Sequence, residues 1–246
     1  MFSTYKKLIK LNLDDLALYL AVEGGLFLVV QIIIGCVMYF ARPETSVTVA
    51  CVLYPIVGGL TALVAGISHV GVSFDQALRF GQTRKRALAL TLGLCAFESG
   101  FALALGGLLA TVERFLCPPL WAKLAGMDGW TSGAIFFMPE GTTVNGELVS
   151  GKVLLIEDFT LDWYWWLIAF GVAVAGGVIV GALIQRFGSK GGWIIWAAVM
   201  APMLLMQIFP QQFSSSVELI VPVLAAVFVA GFLWSIWSLL HAVVRV

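Results

Sequence analysis

Six stretches of the chain stay apolar for about twenty residues at a time, and the short segments between them hold most of the charge. They cover residues 16–40, 47–70, 87–111, 162–184, 193–210 and 217–240, the fifth being the shortest. A helix pairs its own backbone N–H and C=O groups, as a segment in hydrocarbon must, so each stretch reads as a transmembrane helix. The fold class is therefore an all-α integral membrane protein, a single transmembrane domain over residues 1–246. Lysines precede the first stretch as in a signal peptide, yet no small-residue cleavage site follows and hydrophobicity continues to Phe40. The expectation is a retained first span.

Two connecting segments have patterns of their own. SFDQALRFGQTRKRAL, residues 73–88, places Phe74, Ala77, Leu78 and Phe80 as an apolar part, with Ser73 as a candidate cap and Gly81 as a stop before TRKR. This predicts a short amphipathic helix along the membrane surface. Residues 112–161 form a long segment between the third and fourth spans. CPPLWAKLAG within it suggests a short interfacial helix, and AIFFMPEGTTVNGELVSGKVLLIEDF reads as strand-like pieces divided by PEG and NG turns.

Composition agrees with the pattern: 61% of residues are hydrophobic, only 11% are charged, and the mean hydropathy is +0.99. The formal net charge is zero, which gives no argument for a nucleic-acid partner. The position of the charge is more informative. Lys6, Lys7, Lys10, Arg79, Arg84, Lys85, Arg86, Arg186, Lys190 and Arg245 fall on one side of the predicted topology, and Arg42, Arg114, Lys123 and Lys152 on the other. By the positive-inside rule the richer side, with both termini, faces the cytoplasm. Tryptophans fit this layout, with Trp163, Trp165 and Trp166 at an outer boundary and Trp193, Trp196, Trp234 and Trp237 at the inner one. Cys36, Cys51 and Cys95 lie in apolar runs, Cys117 falls in a predicted loop, and no disulfide framework or metal spacing emerges.

Small residues mark the expected helix contacts, because lipid gives helices no hydrophobic reason to associate. Ala169, Ala173, Gly177 and Gly181 recur every fourth residue, Gly58, Ala62 and Gly66 form a second stripe, and Gly106 with Ala110 a weaker third. Glu98 is the ionisable group placed deepest in a span, beside Ser99, and is a candidate either for a structural hydrogen bond or for a polar residue of a translocation path. Glu23 is placed nearer a span end, within reach of interfacial water. His69 and His241 are placed near the inner face, solvated or bonded to backbone.

The segment from Phe74 to Arg86, ending in FGQTRKR before the third span, resembles the coupling helix of type 2 ATP-binding-cassette exporter permeases. Six spans in about 250 residues resemble the small bacterial members of that family, and residues 2–13, with Phe2, Tyr5, Leu8, Ile9 and Leu11 among lysines, resemble its N-terminal interfacial helix. The resemblance implies a bacterial cytoplasmic-membrane exporter subunit that works as a dimer, with a second copy or a similar permease. It implies a separate cytoplasmic ATPase that holds ATP and Mg and docks on Phe74, Asp75, Leu78, Phe80, Arg84, Lys85 and Arg86. The long outer segment lies between the third and fourth spans, whereas the family places its outer helices between the fifth and sixth.

No enzyme motif is legible. GELVSGKV, residues 146–153, fits GxxxxGK, but Val153 stands where a hydroxyl should hold magnesium, and neither GxSxG nor HExxH occurs. The chain is thus expected to bind no cofactor itself. The exporter reading stands beside two others: an ATP-independent transporter or channel using Glu98, and a membrane immunity or assembly factor that only binds a partner. An acidic excess over residues 112–161 is what translocated segments carry without any ligand.

Overall fold

The structure, a computed structural model, describes residues 13–133, 153–158, 161–208 and 217–241. The expected N-terminal interfacial helix, the GELVSGKV stretch and the link between the last two spans lie outside these residues. The described elements are α1 (Leu13–Ala41), β1 (Thr45–Thr48), α2 (Ala50–Ser68), a π-helical turn (His69–Ser73), α3 (Phe74–Arg79), α4 (Arg84–Ala125), β2 (Gly129–Gly133), β3 (Val153–Asp158), α5 (Trp163–Phe187), α6 (Ser189–Ile208) and α7 (Val217–Leu240).

Five helical segments are long and apolar enough to cross a bilayer: Asp14–Ala41, Ala50–Arg79, Arg84–Ala125, Trp163–Phe187 and Pro222–Leu240. The protein is therefore a mostly helical, membrane-embedded one. Where the fifth span was expected, α6 forms a helix that begins earlier, at Ser189, and takes in Lys190. Hydroxyls inside the helices bond to their own backbone one turn back: Thr61 Oγ1 donates to Val57 O at 2.6 Å, Thr111 Oγ1 to Gly107 O at 2.8 Å, and Ser235 Oγ to Gly231 O at 2.7 Å. A hydroxyl satisfied in this way can sit in hydrocarbon without a partner helix.

The chain divides into two compact units. One comprises Asn12–Thr61 and Gly100–Ala169. Its sheet has β3 in the centre, flanked by β1 and β2, both parallel to it, with Thr45 and Thr131 each opposite Leu155. Side chains alternate across a strand, so Leu154 and Ile156 share one face and are buried with Met38, Cys117, Trp121, Ala122 and Ala125. That packing explains two departures from expectation. The second helix starts at Ala50 rather than at 47 because Thr45–Thr48 is taken up by the sheet. The third span and the CPPLWAKLAG piece are one helix of 42 residues, about 63 Å at 1.5 Å per residue and so about twice the hydrocarbon thickness.

The sequence set CPPLWAKLAG apart as a short interfacial helix, whereas Pro118 and Pro119, each of which removes a ladder hydrogen bond, lie inside the long one. Arg114 and Phe115, four residues before the prolines, are exposed, while Pro118 is fully buried and Cys117, expected in a loop, is part of the core. Packing on the sheet overrides the local signal. The helix ends at Gly126, φ +71°, where Gly126 N–H donates to Lys123 O and Met127 N–H to Ala122 O, a Schellman closure.

Among the described residues the other unit takes in 62–99, 170–208 and 217–241. Its core is Val70, Phe74, Ala87, Leu88, Val178, Ala182 and Leu239. Here α2 and α5 meet at glycines: a Cβ on Gly177 would stand 3.1 Å from Gly66 Cα and 3.2 Å from Leu63 O, and one on Gly181 would stand 2.6 Å from Val70 Cβ. Gly177 and Gly181 of one stripe read from the sequence and Gly66 of the other thus account for the close approach. Ala173 is also buried in this unit, whereas Ala169 belongs to the first one described, 3.9 Å from where a Gly59 Cβ would be.

Gly181→Ala should lower stability by about 1–3 kcal/mol through overpacking. Gly71→Ala, whose Cβ meets nothing within 4 Å, should leave stability nearly unchanged. Thermal unfolding of the purified protein in one detergent compares the two, and equal melting temperatures would remove the helix contact proposed for Gly181.

Candidate functional site

The expected surface helix is present but is not a separate element. Ser73, expected to cap it, has helical φ and ψ of −68° and −34° and makes no capping hydrogen bond. The helix of the second span instead runs through a π-helical turn, His69–Ser73, directly into α3. A π turn inserts a residue into the helix and shifts its faces without breaking it. The whole run Ala50–Arg79 is 30 residues, about 45 Å, so its last turns extend past a hydrocarbon core of about 30 Å. It stops where the sequence placed the stop: Gly81 has φ +77°, its N–H donates to Leu78 O at 3.0 Å, and Gln82 N–H donates to Ala77 O at 3.1 Å. This is a second Schellman closure.

The residues expected to dock a partner separate into two groups. Phe74 is 0% exposed and belongs to the core, and Leu78 packs against that core from its edge. Asp75 accepts a hydrogen bond from Gln185 Nε2 of α5 at 2.5 Å. These three hold the helix in place. Phe80 is 85% exposed, and Arg79, Arg84, Lys85 and Arg86 are exposed as well. Arg84 has a bracing contact as well, donating from Nη1 to Leu240 O at 3.2 Å, where it serves the C-terminal end of α7. Arg186 donates to Ser238 Oγ at 3.3 Å and lies over the Trp234 ring at 5.4 Å, joining α5 to α7 beside it. Gln185 had no role in the sequence and Arg186 counted only toward topology. Their one legible signal was being polar at the end of an apolar helix.

A second polar cluster lies in the same unit. Glu98 is 1% exposed, and its Oε2 stands 2.8 Å from His69 Nε2, while His69 Nδ1 is 3.3 Å from Ser73 Oγ. The sequence placed His69 near the surface, but ten further helical residues follow it and the ring is buried. His241 does bond to backbone as expected, Nδ1 to Trp237 O at 2.8 Å. Imidazole and carboxylate are both proton carriers and both metal-ligand types, and within this unit the pair contributes one atom of each kind.

The unit that contains the sheet has two buried acids, Glu23 and Glu113, that the sequence did not place in the interior. Glu113, counted there only as part of an acidic excess, accepts from Gln31 Nε2 of α1 at 2.8 Å and from Ala50 N–H at 2.7 Å. Ala50 begins α2, so a carboxylate from α4 serves one of the orphan donors that every helix start leaves. Glu23 was expected to reach water. It lies about 15 Å along a helix that starts at Leu13, and it is wholly buried.

No protein-family model, curated protein or solved structure matches the chain. The case for its function therefore rests on its own residues.

Glu113→Ala should cost about 1–3 kcal/mol by leaving Ala50 N–H and the Gln31 amide without their acceptor. Glu113→Gln, which keeps a carbonyl oxygen, should cost less. Chemical denaturation in detergent orders the two, and equal losses would mean that the acceptor does not hold α2 to α1.

Proposed function

We propose that the chain is the transmembrane subunit of an ATP-binding-cassette exporter. In this reading α6 crosses the membrane with the five longer segments, giving six spans, and both termini lie in the cytoplasm of a bacterial cell. The chain pairs with a second copy or a similar permease to form the translocation path. A separate cytoplasmic ATPase holds ATP and Mg and docks on α3 and the basic residues after it.

The observation that supports this reading is the division of labour along residues 74–86. A docking element has to offer a surface and also has to be fixed to what it moves. Phe80 and the exposed cations that precede and follow it in the chain supply the exposed part, aromatic and arginine side chains being the types enriched at protein interfaces. Phe74, the Asp75–Gln185 hydrogen bond and the Arg84–Leu240 contact fix the helix to the bundle core, to α5 and to α7. A helix that served only as a topological anchor would need the charge, but not the bracing of its buried side.

When the chain is purified from its native membrane with its neighbours, a cytoplasmic ATPase should accompany it. Phe80→Ala should weaken that association by about 2 kcal/mol, roughly thirtyfold, the scale of an interface hot spot. Adding Arg84→Glu should abolish it. Recovery of the chain without any ATPase under several mild detergents would overturn the reading.

The buried His69–Glu98 pair favours a second reading, an ATP-independent transporter coupled to protons. In that case transport would stop with an uncoupler at constant cellular ATP, and Glu98→Gln would abolish it. Transport that survives both would exclude this alternative.

A further inference from the structure

Glu23 differs from the other buried acids of the described residues in having nothing to bond. It is 0% exposed, and neither carboxyl oxygen has a hydrogen-bond partner. Glycines on two other helices line the space around it, Gly58 giving clearance to the carboxyl itself and Gly106 to the neighbouring Tyr54. A Cβ on Gly58 of α2 would come within 3.0 Å of Glu23 Oε1, and one on Gly106 of α4 would stand 3.5 Å from Oε2 and 2.8 Å from Tyr54 Cβ. The Ala102 backbone lines the same notch, 3.6 Å from the would-be Gly58 Cβ. The titratable group facing the carboxyl is the buried Tyr54 of α2, with Glu113 and Cys117 of α4 beyond it acting on Tyr54 in turn. No lysine, arginine or histidine among the described residues forms an ion pair with it.

An acid in such a place is not explained by packing. Methionine or leucine would fill the notch without a polar group, and glutamine would supply hydrogen bonds without a charge. What a carboxyl offers beyond both is the ability to take up and release a proton, and ionisable groups kept at bilayer depth are characteristically functional for that reason.

We propose that Glu23 is a proton-binding site: the carboxyl in the Gly58–Gly106 notch exchanges its proton with the aqueous phase. On release the O–H bond breaks, the electron pair remains on the carboxylate and the proton passes to water. Uptake reverses the step. This holds whether or not the chain works with an ATPase.

Infrared difference spectroscopy on the full chain in liposomes tests it. The wild type should show a carboxylic C=O band that shifts in deuterated buffer, changes in amplitude with bulk pH, disappears in Glu23→Gln and persists in Glu98→Gln. A band lost in Glu23→Gln but constant from acid to alkaline pH would identify a permanently buried structural acid and overturn the proposal, as would identical spectra for the wild type and Glu23→Gln. A second measurement needs no variant. A membrane-permeant carbodiimide should modify Glu23 in the wild type, mapped by mass spectrometry, with a yield that falls as pH rises relative to other carboxyls in the same sample. A Glu23 that stays unmodified while other carboxyls react, or whose relative yield does not change with pH, would also overturn it.

Discussion

A polar group carried into hydrocarbon costs free energy unless it finds a partner within the protein, and that constraint, left unmet at Glu23, shapes the structure more than any single apolar contact. The hydroxyls of Thr61, Thr111 and Ser235 meet it locally by bonding to the carbonyl one turn back. Glu98 and His69 meet it by pairing, and Glu113 meets it by serving a helix start and a glutamine at once. Each solution fixes something larger. A hydroxyl bonded to its own helix leaves that helix free to choose neighbours, whereas the carboxylates commit particular helices to one another. Glu113 joins α1, α2 and α4 within one unit. Removing a partner from such a set leaves a buried donor or acceptor unsatisfied, which costs more than the hydrogen bond was worth when made.

Close helix approach is the second consequence. With lipid on the outside as apolar as leucine, helices gain by dispersion and shape, and both favour short distances. In the unit that contains Gly66 and Gly177, backbone meets backbone there, and the spacing to Gly181 carries the contact one turn further to Val70. In the unit that contains the sheet, the glycines at 58 and 106 do something different: they make room for side chains, Gly58 for the Glu23 carboxyl and Gly106 for Tyr54, and not for a backbone. A small-residue stripe therefore does not by itself say whether it serves contact or clearance.

The apolar runs, the Gly81 stop, the GxxxG contact and the strand pattern of VLLIED were legible because each follows from rules local to a few residues. Failures came where distant packing outweighed a local signal. CPPLWAKLAG read as a separate short helix, but Leu154 and Ile156 supply a surface on which the preceding helix continues through it. Ser73 read as a cap, but a π turn carries the helix past it. Glu23 and His69 read as interfacial because their helices were drawn too short, by a few residues for α1 and by more for the run ending at Arg79. Pairings such as Asp75 with Gln185, 110 residues apart, leave no trace in a single sequence beyond two polar residues near the ends of apolar runs.

The uninterrupted run from Ala50 to Arg79 bears on how motion would pass along the chain. A capped, separate surface helix is a hinge: it can tilt while the span behind it stays still, because the connecting residues absorb the change in φ and ψ. A helix continued through a π turn has no such loose joint, since its ladder is re-registered rather than opened. Displacing Phe80 then displaces the end of the run, and through the Asp75–Gln185 and Arg84–Leu240 contacts it pulls on α5 and α7 as well. The π turn places His69 and Val70 in the interior, so the His69–Glu98 pair lies at the point where this lever changes register. A change in the register of that turn would have to break or rebuild a buried polar pair, which makes the pair a natural energetic latch on any movement of α3.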